Sequence, residues 1–146
     1  MALKKSSELL VSVVYYFIGI IVFNVAGAIL GIFVREVFVI TDPVILWVWQ
    51  YVWFFISVLF SPLTGALYIK NRYLIKDPAK VALFATIIYV LGYLYGHMGE
   101  LANNNAAGET LYRITAIGAS SSVIYYLSSR YFIKKNLPDG QNVPVV

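Results

Sequence analysis

The 146-residue chain has no cysteine, so disulfides, thiolate metal sites and thiol nucleophiles are excluded. Charge is scarce as well. Only 12% of residues are charged, where a soluble domain carries about 25%. Half that supply cannot coat a globule of this size, which excludes an ordinary soluble domain. With 60% hydrophobic residues and a mean hydropathy of +0.77, a disordered chain is excluded too. There is one histidine, and no carboxylate falls inside a long uncharged run. No pair of acids, histidine metal set or nucleophile with its base is visible, so no enzyme, cofactor or metal is expected. The net charge of +4 does not point to nucleic acid, because the basic residues flank apolar runs and have to be read against them.

What is abundant is the long apolar run. Leu9 to Val34 and Pro43 to Ile69 are free of charge, and Val81 to Gly99 is interrupted only by His97. Ile114 to Ser129 is shorter, but its apolar character continues through Tyr131, Phe132 and Ile133, and Arg130 can lift its guanidinium to the headgroups. A helix needs about 20 apolar residues to cross a bilayer, and strand-type alternation is absent. The expected fold is all-α: a polytopic membrane protein with transmembrane helices over roughly 9–34, 44–69, 81–98 and 112–132. Ala26-Gly27-Ala28 resembles a signal-peptide cleavage site behind Lys4 and Lys5, but the apolar run continues past it, so the first helix is read as retained.

Lysine and arginine set the expected orientation. Lys4, Lys5, Lys70, Arg72, Lys76, Lys80, Arg130, Lys134 and Lys135 fall on one side, and only Arg35 and Arg113 on the other. That bias places both termini and the middle loop in the cytoplasm, in a plasma or inner membrane. Trp47, Trp49 and Trp53 then lie toward the outer end of the second helix.

The second and fourth runs end alike. Tyr68, Arg72, Tyr73, Ile75 and Lys76 recur 58 residues later as Tyr126, Arg130, Tyr131, Ile133 and Lys134. The simplest description is two helical hairpins in like orientation, as parallel repeats related by an axis along the membrane normal. A helix leaving a membrane often ends in aromatic and basic residues, so chance similarity is the alternative. With Asn71-Arg72-Tyr73 and Ile75 closing helix two, and Arg130-Tyr131 and Ile133 closing helix four, the chain resembles the GtrA-like family of small four-helix membrane proteins. The resemblance covers residues 1–135 and leaves 136–146, with Pro138, Asp139-Gly140 and Pro144, as a loose tail. It implies work in cell-surface polysaccharide assembly. The function expected is either moving polyprenyl-phosphate-linked sugars across the cytoplasmic membrane, or anchoring a glycosyltransferase that makes or uses them.

Candidate residues follow. Arg72 and Arg130 reach the same depth and, if the hairpins pack together, can converge on a lipid phosphate with help from Lys70, Asn71 and Lys134. Topology signalling and interfacial snorkelling explain the same residues. Asn24 and Gln50 are amides inside spans, suited either to sugar hydroxyls or to another helix. Ser120-Ser121-Ser122 reads as packing. Gly27-x-x-x-Gly31 and Gly92-x-x-x-Gly96 suggest that helices one and three contact each other or a second protomer. Pro62 is expected to bend helix two, and Asp42-Pro43 to start it. His97, Glu100 and Glu109 read as solvated surface, and Asn103 to Gly108 as a polar loop. Small multidrug transporters share this size, but they depend on an acid in helix one, which is missing here. The expected partners are membrane lipids, a polyprenyl-phosphate glycolipid and a second copy forming a dimer.

Overall fold

A computed structural model of the chain describes residues 5–37, 42–102 and 107–134. The tail 136–146, Asn103 to Ala106, Lys4, Lys135 and the side chains of Arg35 and Glu109 lie outside that description. The architecture is all-α, with four helices: α1 (Glu8–Val37), α2 (Pro43–Lys70), α3 (Pro78–Ala102) and α4 (Ala107–Phe132). Three of them, α1 to α3, are long and apolar enough to cross a membrane. The α4 helix has 26 residues, but its serines and terminal charges keep it outside that group.

Local chemistry sets the starts. Ser7 caps α1, its hydroxyl accepting from the Leu10 N–H at 3.3 Å. Asp42 caps α2 ahead of Pro43, accepting from the Val44 and Ile45 N–H groups at 2.8 and 3.4 Å. Asp77-Pro78 repeats the device at α3, with Ala79 and Lys80 as donors. Proline at the first helical position gives up a donor that has no partner there anyway. These caps start α3 three residues before the expected 81; α4 starts five before the expected 112, so that Ala107 and Gly108 are helical where a polar loop is expected, and α1 and α2 run slightly longer than their apolar cores.

The helices form a four-cornered bundle. Each hairpin packs along its own length, α1 on α2 and α3 on α4; α1 also lies beside α3, and α2 beside α4. Two hairpins therefore stand side by side in like orientation. This differs from the expected relation through an axis along the bundle. Such an axis through the centre exchanges diagonal corners, and here the diagonals are α1 with α4 and α2 with α3.

Apart from Ile114 of α4, the buried residues described lie in one half of the bundle. Val11, Ser12, Tyr15 and Gly19 of α1 are buried, as are Val81, Ala82, Ala85 and Tyr89 of α3. Their partners are Val58 to Ile69 of α2 and Ser121 to Ser129 of α4. Between membrane helices the hydrophobic effect is weak, so van der Waals fit and hydrogen bonds carry association. The contacts are of that kind. A Cβ on Gly19 would lie 2.6 Å from the Ser61 carbonyl oxygen, and one on Gly65 would lie 2.5 Å from that of Tyr15. Tyr89 and Tyr125 stack at 4.7 Å. The Ser12 hydroxyl donates to the carbonyls of Glu8 and Val81.

One bond crosses the diagonal. Tyr15 donates from its hydroxyl to Ser129 Oγ at 2.9 Å, with both residues fully buried. Tyr15→Phe should cost about 0.5–1.5 kcal/mol in a thermal or denaturant melt in detergent. Adding Ser129→Ala should cost little more, since the pair loses a single shared interaction.

The small-residue motifs do something else. A side chain added at Gly31 or Gly96 would meet nothing within 4 Å, and Gly27 lies beneath the Trp53 indole. Thus α1 and α3 contact each other, as the spacing suggests, but through Ser12, Val81 and the approach of Tyr16 to Gly92, with no part played by Gly31 or Gly96. Pro62 is buried within an unbroken α2, inside its packed half. Its missing N–H leaves the Val58 carbonyl without its intrahelical donor.

Candidate functional sites in the open half and at the basic end

Beyond Gly19 no residue of α1 is buried among those described, and the bundle opens into clefts on both sides of α2. The first cleft, about 420 Å³, lies between α1 and α2. Asn24 and Gln50, the two amides singled out in the sequence, both line it. Trp49 and Trp53 stack at 6.2 Å beside them, and Gly27 and Gly31 form the α1 wall. Gly31 leaves open space on that wall, whereas Gly27 makes room for the Trp53 indole. No hydrogen bond between the two amides is formed, and both are exposed on the cleft surface. They are free to face a ligand, in keeping with one of the two readings of these residues.

The second cleft, about 330 Å³, lies across α2 among α3 and α4. Gln50 lines this one too, together with Trp47, Tyr51 and Tyr93. At its rim, His97 and Glu100, expected as solvated surface, join a network with Arg113 and Tyr93. Arg113 donates from Nη2 to Glu100 Oε2 at 2.9 Å, and the other Glu100 oxygen lies 3.1 Å from His97 Nδ1. The His97 ring packs on Tyr93 at 4.5 Å, and Tyr93 donates to the Ile114 carbonyl. Arg113 and Glu100 are thirteen residues apart on different helices, so spacing within one element gave no signal. Only the pairing of α3 with α4 brings them together.

The third region is the basic end. A cavity of about 210 Å³ separates the ends of α2 and α4, lined by Lys70, Ile75, Tyr131 and Lys134. The two repeated segments do meet here, and Ile75 and Ile133 are both buried. Their arginines do not line the cavity. Arg72 lies in the turn after α2, with its guanidinium 4.5 Å over the Tyr68 ring. Arg130 is still inside α4, on its exposed face beside buried Ser128 and Ser129. The same residue pattern thus falls on different backbone, because α2 stops at Lys70 and α4 continues to Phe132. Asn71 forms the exposed C-cap of α2. Lys80, at the start of α3, pairs with Asp77 at 3.8 Å and Glu8 at 4.0 Å. Among the described residues no group of three metal-ligating side chains occurs.

Comparison of the chain with protein-family models, curated proteins and solved structures returns no match.

Proposed function

We propose that the protein is a four-span, GtrA-like protein of the cytoplasmic membrane, with both termini cytoplasmic, that binds a polyprenyl-phosphate-linked sugar and helps it cross. The observation that carries this reading is the meeting of Asn24, Gln50, Trp49 and Trp53 around one cleft in the middle of apolar helices. A polar head in hydrocarbon is costly unless its hydroxyls are partnered. The two amides supply donors and acceptors, and the indoles supply flat apolar faces with polar edges. The apolar surface supports the membrane setting: Ile29, Ile32, Val44, Leu91 and Val123 are each more than half exposed. Water would oppose that arrangement and lipid accepts it. The isoprenoid tail would stay in lipid, and the phosphate would start at the basic end and move with the sugar to which it is bonded. No carboxylate lies between Leu9 and Val34, the apolar run of α1, to couple an ion, so movement would run down a gradient set by enzymes on either side. Dimerisation would thicken the thin wall of four helices.

The test is transport of a polyprenyl-phosphate hexose in proteoliposomes. Asn24→Leu with Gln50→Leu should slow it by about tenfold or more, from two lost hydrogen bonds at about 0.5–1.5 kcal/mol each. Both side chains are exposed, so the fold should persist. An unchanged rate sinks the cleft as the route. Co-purification of a glycosyltransferase with no transport would favour the scaffold role instead.

A further inference from the structure

We infer that the second cleft is a separate saccharide site, and that the head it accepts is an uncharged sugar. Its lining mixes aromatic faces with hydrogen-bonding groups that point inward from three helices. Trp47 and Tyr51 of α2 sit in contact at 4.4 Å on one wall, and Tyr93 with His97 of α3 on another. A volume of about 330 Å³ is at the small end of the usual range for ligand sites, about 300–1,000 Å³, and suits a single sugar ring rather than an oligosaccharide.

Charge decides the class of ligand. Among the described residues the charged lining side chains are Glu100 and Arg113, and they are bonded to each other. Glu100 is committed through both oxygens, one to Arg113 and one to His97, so it has little left for an organic cation. Arg113 is offset by Glu100, so the cleft does not present a free positive charge to an acid. What remains suits hydroxyls: the other guanidinium N–H donors, the second imidazole nitrogen and the Gln50 amide, which both donates and accepts. A hydroxyl can replace water at each of them without leaving a charge unpaired.

Gln50 lies on both clefts. A sugar leaving the α1–α2 cleft therefore meets, on the other side of the same residue, a second set of aromatic and polar partners. This assignment rests on the lipid-linked sugar reading and adds the sugar's charge class and an exit position.

The three tryptophans allow the two sites to be read separately, because Trp47 lines the second cleft and Trp49 and Trp53 the first. The experiment is a fluorescence titration of the full chain in detergent with methyl glucoside, its uronic acid and glucosamine. Methyl glucoside should change the signal of a Trp49→Phe, Trp53→Phe variant, and Trp47→Phe should remove that change. Arg113→Met and His97→Phe should each weaken the titration by about tenfold, the loss expected for a hydrogen bond involving a charged or polar group. Arg113 and Glu100 are about half exposed, so their exchange should leave the fold intact. Equal binding of the uronic acid or glucosamine overturns the charge class. No change from Trp47 with any sugar overturns the site, while a response from Trp49 and Trp53 alone would leave the proposed function standing. A Trp47 response with no lipid-linked transport does the reverse: it keeps a saccharide site and ends the transport reading.

Discussion

Gly65→Val should abolish the folded bundle. A Cβ at this position would lie 2.5 Å from the Tyr15 carbonyl oxygen and 2.7 Å from Tyr15 Cδ2. The first is backbone and cannot turn away, so α1 and α2 must separate. That separation also pulls Tyr15 from Ser129 and from the Tyr125 ring. Overpacking a core typically costs about 1–3 kcal/mol and sometimes more, and here the extra atoms of valine press on a second helix axis rather than on a side chain. The expected result is loss of a monodisperse species in size-exclusion chromatography in detergent. Gly31→Val and Gly96→Val are the controls. Both positions face open space, so both proteins should remain folded. If Gly65→Val is as stable as these two, the close approach of α1 and α2 is wrong.

That contrast marks what the sequence could show. Charge-free runs and the Asp42-Pro43 start placed the helices to within a few residues, because capping and apolar length act locally. Asp77-Pro78 carries the same signal, whereas apolar length alone puts the start of α3 three residues late. Glycine spacing was legible only in part: α1 and α3 do meet and Gly92 takes part, but not every glycine of the motifs is used, for a physical reason. A small residue permits close approach, but the shape across from it decides whether the approach occurs. Gly65 faces Tyr15 and is used; Gly31 and Gly96 face nothing. The site divides in the same way. Asn24 and Gln50 stood out as amides in apolar surroundings, and they share a cleft. Arg113 with Glu100 did not, because that pair exists only once α3 folds back on α4. The Arg72 and Arg130 repeat was legible as letters, but helix α2 ends before its arginine and α4 after.

That last difference changes which cations should hold the lipid phosphate. On the proposed function, the 210 Å³ cavity at the basic end receives it, and the cations at its edge are Lys70 and Lys134. Each charge-assisted hydrogen bond is worth about 1.5–3 kcal/mol, and about 1.4 kcal/mol is tenfold in affinity. Lys70→Met with Lys134→Met should therefore weaken polyprenyl-phosphate binding by about 100-fold, with a smaller effect at high salt, where exposed charges are already screened. Arg72→Met with Arg130→Met should do less, because the Arg72 guanidinium is on Tyr68 and Arg130 is on the outer face of α4. Loss of charge can also flip a membrane protein, so orientation has to be measured in the same samples. The chain has no cysteine, so one placed at position 76 and labelled from either side reports orientation without background. If orientation holds and the arginine pair carries the loss, the phosphate is gripped as the repeat suggested, outside this cavity. If neither pair matters, the basic end sets orientation and nothing else.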